Sequence, residues 1–176
     1  KDGTDRLCLV QICGKNSKDI YLVQPDKNYQ TPNLIKVLED PEIQIVIHFS
    51  RKDKSAIENF LKPKCKITSL FDSKVASRLV RKYSNDHGLS SLCQEFAGVR
   101  LEKKMASSDW AKDISEYSEK EKMYAAADVQ YLFLIKTKLE SMLKREKKYD
   151  IFLKCMEFID TRIEIDNLGI DKIFDH

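Results

Sequence analysis

The pattern of apolar and polar positions changes along the chain from short β-like runs to longer helical repeats. Residues 6–13 and 19–24 are rich in β-forming side chains and flank a turn at 14–17 that contains glycine and asparagine. Two such runs around a short turn predict an antiparallel hairpin. The almost continuously apolar run 43–49 suits a strand that is covered on both faces, and residues 66–71 predict a further short strand.

Helical patterns occupy most of the remaining sequence, and capping residues mark several of their ends. Thr31 suits an N-cap with Pro32 at the first helical position, while Ser118 and Glu121 have the spacing of a capping box. Strands that come early, then alternate with helices and finally give way to them predict an α/β fold, with a mixed β-sheet flanked by α-helices. The predicted helices are 31–40, 53–61, 73–83, 89–96, 118–142 and 148–159.

The composition favours a single domain with a well-solvated surface and leaves the type of partner open. A length of 176 residues suits one domain spanning 1–176. Charged residues make up 34% of the chain, but 31 basic and 28 acidic side chains nearly cancel, so a polyanionic partner is neither required nor excluded. The five cysteines form no Cys-x-x-Cys pair and favour reduced thiols in a cytoplasmic protein. Because no apolar run approaches the ~20 residues of a membrane span, we expect no membrane partner.

The segment Tyr124–Val129 places two polar side chains one helical turn apart. Tyr124 and Asp128 share a helix face because residues four positions apart are neighbours there. The three alanines between them leave room for a large ligand to approach. Taken alone, this spacing is more typical of a buried tyrosine and a surface aspartate on an alanine-rich helix.

The segment His48–Asp53 follows the long apolar strand, and ligand sites of open α/β sheets gather beyond the carboxyl ends of strands. A carboxylate there is well placed to hold a metal ion, although Asp53 also suits the N-cap of the helix that follows. The two roles are compatible. His48 by itself is more typical of a histidine satisfied in the core or at its rim than of a metal ligand.

Several segments, in order along the chain, carry a family resemblance. Ile45–Asp53 contains the pattern His-x-x-x-x-Asp, and Tyr124–Asp128 contains Tyr-x-x-x-Asp. These two resemble the second and third motifs of ribonuclease D-like 3′-5′ exonucleases, the tyrosine subtype of the DEDD superfamily. Arg6–Gln11 resembles the strand that follows the family's first motif, and Phe71–Leu79 resembles its Phe-Asp-Thr segment, with serine for threonine. His87–Cys93 resembles the family's Gly-Leu-x-x-Leu segment, and Ser108–Trp110 matches its Ser-Asp-Trp. The resemblance implies a ribonuclease H-like fold and is greatest to short proteobacterial forms without helical nucleic-acid-binding domains.

The family's first motif, Asp-x-Glu, lies on a strand upstream of the segment that begins at Arg6, and it has no counterpart among the residues before Arg6. Neither Asp2 nor Asp5 has a glutamate two residues later, and we interpret both as loop residues rather than ligands. The exonuclease domain at 1–176 is therefore expected to lack its first strand and half of its acidic ligands. Either that strand precedes Lys1 in the complete protein, or the molecule is incomplete as an enzyme.

The resemblance implies a metal-dependent exoribonuclease that removes 5′-mononucleotides from the 3′ ends of RNA. Two divalent cations, Mg²⁺ or Mn²⁺, would stabilise the attacking and leaving oxygens. Asp53 and Asp128 would supply half of the four carboxylates, and Tyr124 would orient the attacking water. His48 and Arg51 would contact the substrate backbone.

The expected partner is the 3′ end of single-stranded RNA, with no obligate protein partner. Trp110 is interpreted as a packing residue, and Asp109 as a local hydrogen-bond acceptor. Two alternatives stay open: an exonuclease that trims DNA, and a catalytically incomplete nucleic-acid-binding module of the same fold. Phosphates need cationic neighbours, and the candidates are Arg78, Arg81, Lys82, Arg100, Lys103 and Lys104.

Overall fold

The computed structural model describes residues 7–15, 19–101, 108–170 and 172–173. Their strands are short and come in the first half of the chain, and their helices make up most of the rest. The strands are β1 (Val10–Cys13), β2 (Ile20–Val23), β3 (Ile45–Ile47) and β4 (Leu70–Asp72). The helices are α1 (Pro32–Glu39), α2 (Ser50–Phe60), α3 (Ser73–Val80), α4 (Leu89–Ala97), α5 (Glu119–Gln130), α6 (Leu132–Arg145) and α7 (Tyr149–Asn167), with a short 3₁₀ helix at Ile114–Glu116.

Hydrogen bonds join the described strands in one antiparallel and one parallel pair. β1 and β2 form the predicted hairpin, with Val10 opposite Val23. β3 and β4 run parallel, with Val46 opposite Phe71. The α/β class is confirmed, and the parallel pair brings the carboxyl ends of β3 and β4 to the same edge. Arg6 and residues 16–18, which belong to the predicted hairpin, lie outside the described residues.

Two clusters of buried apolar side chains hold the helices on the strands. The larger packs α3, α4, α6 and α7 around Phe71 of β4, and Leu139 and Phe152 are among its fully enclosed members. The smaller lies between α1, α2 and the segment before β4, with Leu61 completely buried. Because Phe71 is enclosed by this core, the backbone of the next residue on β4, Asp72, is held in a fixed position.

Several element boundaries differ from those predicted. The helix expected at 118–142 is two helices that meet at Tyr131, because α5 packs on the hairpin whereas α6 packs on α3 and α4. α2 begins at Ser50 rather than Asp53, so Asp53 lies in the first turn and is not its N-cap. Thr31 precedes α1 as predicted, but its side chain makes no capping bond and its hydroxyl oxygen is buried without a hydrogen-bond partner. None of the described helices is both long and apolar enough to cross a membrane.

Candidate active site

The start of α5 is fastened by local and tertiary polar contacts. Ser118 and Glu121 form the predicted capping box: the Glu121 amide donates to Ser118 Oγ at 3.3 Å, and the Ser118 amide donates to Glu121 Oε2 at 2.8 Å. Lys112 Nζ donates to both Glu121 oxygens, at 2.9 and 3.0 Å. The hydrogen bond from Lys112 and those from Ser118 lower the pKa of Glu121 to about 2. The orientation of α5 is therefore defined before its polar face begins.

The polar residues of α5 lie within electrostatic range of Asp53 in the first turn of α2. Tyr124 and Asp128 are both half-buried, so the simpler picture of a buried tyrosine with a surface aspartate does not hold. Burial, then Asp72 and then Asp128 raise the pKa of Asp53, although one side of Asp53 is open to solvent. Burial raises the pKa of Asp128, and burial together with Asp128 raises the pKa of Tyr124. The fold thus brings Asp128 close enough to both Asp53 and Tyr124 to raise the pKa of each.

The two carboxylates lack partners among the residues that the structure describes, and a bound cation would stabilise their negative charges. Neither Asp53 nor Asp128 forms a hydrogen bond or ion pair with any described residue. Asp128 is half-buried, and burial raises the pKa of Asp53 although its side chain is open to solvent on one side. An acid whose charge raises the pKa of a second acid favours a positive ion beside the pair, and hard divalent ions prefer such oxygen ligands. In the part of the chain that the structure describes, no group of three or more His, Cys, Asp or Glu residues is arranged to hold a metal. Asp2 and Asp5 lie outside that part. The described carboxylates therefore fit a metal site but make up only a portion of one.

His48 and Arg51 are already engaged with other residues of the protein. His48 Nδ1 lies 3.0 Å from Ser73 Oγ, which itself donates to the Ile47 carbonyl oxygen at 3.3 Å, so we infer that the ring proton is on Nδ1. Burial lowers the pKa of His48 to about 4, against the opposing effect of Asp72, and the ring is neutral at pH 7. Arg51 pairs with Asp166 of α7 at 3.3 Å. A contact of either side chain with substrate stays a prediction.

Lowering the pH from about 7 to 5 is expected to destabilise the fold partly through His48. The pKa of His48 is about 4 in the folded protein and 6.5 in the unfolded chain, so below pH 6.5 the unfolded chain binds a proton that the folded chain does not. The contribution of neutral, buried His48 to the free energy of unfolding is therefore complete above pH 6.5 and is lost as the pH falls toward about 4. In His48→Asn, which keeps a hydrogen-bonding group near Ser73, the melting midpoint should fall less over this range. An equal fall in both proteins would contradict the assignment.

Two residues beside Asp53 were not predicted as parts of the site. Asp72 is 1% exposed at the end of β4, where its side chain caps α3. An aspartate between an apolar strand and a helix is a recognisable capping signal, but its effect on Asp53 is not local in sequence. Phe49, at the junction of β3 and α2, has a left-handed backbone with φ 64° and ψ 57°. For a bulky residue this conformation costs about 1–3 kcal/mol and persists only where its surroundings impose it.

Trp110 forms an aromatic wall against Tyr124. Their rings are stacked, with centroids 6.0 Å apart and an interplanar angle of 25°. Tyr117 packs edge-on against Trp110 at 5.5 Å, and its hydroxyl donates to the Trp110 carbonyl oxygen at 2.8 Å. Trp110 therefore packs against the site, as interpreted from the sequence. Asp109 accepts the Ala111 amide at 2.9 Å, which is the local hydrogen bond expected of it.

The cationic candidates for phosphate binding differ in their availability. Arg81 is 1% exposed and its guanidinium is bound by Glu95, Ser77 and the Asp86 carbonyl oxygen, so it is not available to a phosphate and that prediction was wrong. An arginine with this many internal partners contributes to folding. Three other candidates have exposed side chains: Arg78, Lys82 and Arg100. The remaining two, Lys103 and Lys104, lie outside the described residues.

The known proteins to which this chain is similar in sequence are nucleases. A family profile described as 3′-5′ exonuclease matches residues 1–144. Ribonuclease D of Gluconacetobacter diazotrophicus is 32% identical over 146 residues, a match that covers 82% of this chain and 35% of that protein. The chain thus spans about a third of the length of the curated relatives it matches.

Solved structures show the same likeness. Brucella melitensis NrnC is 34% identical and superposes with a TM-score of 0.85 over 97% of this chain and 82% of that one. The same protein has been solved with bound Mg²⁺, at a TM-score of 0.84, and bound to pGG, at 0.82. Escherichia coli RNase D, at 24% identity and a TM-score of 0.74 over 89% of this chain and 40% of that one, shares the fold. These superpositions confirm the exonuclease-type α/β fold that the sequence motifs imply.

Proposed function

Because this chain belongs to the 3′-5′ exonuclease family, we propose that the intact protein hydrolyses RNA from its 3′ end and releases 5′-mononucleotides. The observation that carries the proposal is the pair of carboxylates, Asp53 and Asp128: Asp128 raises the pKa of both Asp53 and the Tyr124 phenol, and neither carboxylate forms an ion pair with a described residue. The similarity to ribonucleases D supports RNA as the substrate. Since the chain spans only part of those relatives, substrate choice in the whole protein belongs to this proposal.

We propose that Asp53 and Asp128 hold divalent cations, Mg²⁺ or Mn²⁺, two of them when the site is complete. Mg²⁺ in the structure of NrnC supports this assignment. Divalent cations in such a site activate water and stabilise the attacking and leaving oxygens of an in-line displacement. Both carboxylates must be ionised to bind a cation. Because the pKa of Asp53 is raised, its contribution is lost at a higher pH than that of an ordinary aspartate as the solution is acidified.

Tyr124 would orient the attacking water. Burial and Asp128 raise the pKa of its phenol above the usual value of about 10, so the hydroxyl keeps its proton at neutral pH. A protonated phenol donates one hydrogen bond and accepts another, which suits it to positioning a water molecule rather than removing its proton. Stacking on Trp110 limits the directions in which the ring can turn. We therefore expect the two aspartates to bind the cations and Tyr124 to orient the water molecule.

The competing functions make different predictions about substrate. The structure of NrnC bound to pGG supports a nucleic-acid substrate, and the choice of RNA, which a 2′-hydroxyl distinguishes from DNA, rests on the similarity to ribonucleases D. An exonuclease acting on DNA is therefore the first alternative. The second is a nucleic-acid-binding module of the same fold without catalysis.

The proposal is tested by incubating the intact protein with 5′-labelled single-stranded RNA and Mn²⁺. We expect products shortened progressively from the 3′ end, and no reaction when a chelator is added. A matched DNA oligonucleotide, measured in parallel, distinguishes the two nucleases. Binding of RNA without hydrolysis in the presence of Mn²⁺ would support the non-catalytic module instead. Internal cleavage of the RNA would contradict an exonuclease of either kind.

A further inference from the structure

The carboxylate of Asp72 connects the beginnings of α2 and α3. Its Oδ1 accepts hydrogen bonds from the amides of Lys74 at 2.7 Å and Val75 at 3.1 Å, in the first turn of α3. Its Oδ2 accepts from the amide of Ser50 at 2.6 Å and from the Ser50 hydroxyl at 2.8 Å. Ser50 is the first residue of α2. One buried side chain thus caps one helix and fastens the start of another.

The same carboxylate restrains the left-handed turn at Phe49. The Phe49 amide donates to Asp72 Oδ1 at 3.3 Å. Lys74 Nζ lies 3.9 Å from the centroid of the Phe49 ring, and the Arg51 guanidinium lies 5.1 Å from it. Cations at these distances from an aromatic face attract it. The unusual backbone conformation is therefore held from the amide side by Asp72 and from the ring side by two cations.

We propose that Asp72 is a positioning residue that holds the Phe49–Ser50 turn and thereby directs Asp53 toward Asp128. Asp53 lies in the first turn of α2, so a change in the path of Phe49 and Ser50 moves its carboxylate. A helix terminus without such a fastening frays readily. The inference rests on the proposed function, in which Asp53 and Asp128 hold divalent cations.

The first test replaces Asp72 by asparagine in the intact protein. Asparagine is as good an N-cap as aspartate, so the remaining oxygen can still cap α3 while the new amide group cannot accept the Ser50 N–H. We expect the Kd for Mn²⁺, measured by calorimetric titration, to rise about 10–100-fold, the usual loss for a residue that orients a metal ligand. Circular dichroism should show the helical content of the wild type. A Kd within about twofold of the wild type would overturn the proposal.

Two serine variants separate positioning from charge and from general destabilisation. Ser50→Ala removes the hydroxyl bond to Asp72 without altering charge and should weaken Mn²⁺ binding about twofold to tenfold, the value of one hydrogen bond. Ser77→Ala, the matched control, removes another buried hydroxyl that has no hydrogen bond to Asp72, and should leave the Kd unchanged. If Asp72→Asn fails to fold, the Ser50→Ala result decides: equal shifts in both serine variants would refute the proposal.

A glycine at position 49 tests the restrained turn itself. Glycine adopts the left-handed conformation without the strain of a side chain, so Phe49→Gly reduces the need for Asp72. The effect of Asp72→Asn on the Kd for Mn²⁺ should be smaller in Phe49→Gly than in the wild type, and an equal or larger effect would contradict the proposal. The proposed function fails separately: it is refuted if Asp53→Asn binds Mn²⁺ as tightly as the wild type.

Discussion

Replacing Asp128 by asparagine is expected to lower the exonuclease rate of the intact protein by more than about a hundredfold. Residues that only orient a metal ligand typically contribute 10–100-fold, and a direct ligand should contribute more. Asparagine has nearly the same shape but no negative charge to hold a divalent cation. The rate is measured as release of mononucleotides from single-stranded RNA at saturating Mn²⁺. Activity within about twofold of the wild type would exclude the proposed site.

The loss of activity should not be accompanied by a loss of stability. Burial raises the pKa of Asp128, which means that its charged form is disfavoured in the folded protein, and Asp128 has no ion pair with a described residue to offset this. The neutral amide removes that cost, so the melting midpoint at pH 7 should be equal to or higher than that of the wild type. Glu119→Gln is the matched control, because Glu119 lies on the same helix with a side chain that is 83% exposed. It should change neither the rate nor the midpoint appreciably.

Replacing Arg81 by methionine is expected to reduce the free energy of unfolding by about 1–3 kcal/mol, the cost of leaving buried hydrogen-bonding groups without their partner. Arg81 Nε and Nη2 donate to Glu95 Oε2, the first at 2.9 Å and the second at 2.5 Å. Its Nη1 donates to Ser77 Oγ at 3.0 Å and to the Asp86 carbonyl oxygen at 2.8 Å. Methionine fills much of the volume but satisfies none of these acceptors.

Thermal unfolding provides the measurement for Arg81. In a protein of this size each kcal/mol corresponds to about 2–4 °C, so the midpoint should fall by roughly 2–12 °C. Arg78→Met is the control, since Arg78 is an exposed arginine on α3 and should matter by no more than about 0.5 kcal/mol. If both variants lose the same small amount, the hydrogen bonds of Arg81 are not a major part of the stability. Mn²⁺ binding by the folded fraction of Arg81→Met should be unaffected.

The α5 segment was predictable because its signals are local. The Ser118–Glu121 capping box is formed within one turn, and the spacing of Tyr124 and Asp128 places them on one face of any helix. The end of α5 was not predictable from the same stretch. Nothing in the residues around Tyr131 breaks a helix, and the division arises because α5 and α6 pack against different elements.

For the arginine at position 81, a local feature of the sequence led to a wrong prediction. As a cation next to Lys82 in the middle of the chain, it was grouped with surface cations that meet phosphate. Its burial depends on Glu95 and Ser91 of α4 and on the loop carbonyl oxygen of Asp86, which the chain brings around it only when folded. Charge type is a property of the residue, whereas exposure is a property of the fold.

By itself the sequence determined the α/β class, the hairpin, the helix that carries Tyr124 and Asp128, and, through ordered motifs, the exonuclease family. These follow from periodicity, capping and residue type, which act over a few positions. Only the tertiary structure decided that Asp53 lies near Asp128, that α2 begins at Ser50, and that Asp72 supports that beginning. The physical reason is that each of these depends on packing or hydrogen bonds between residues distant in the chain, and such contacts exist only once the chain has folded around its core.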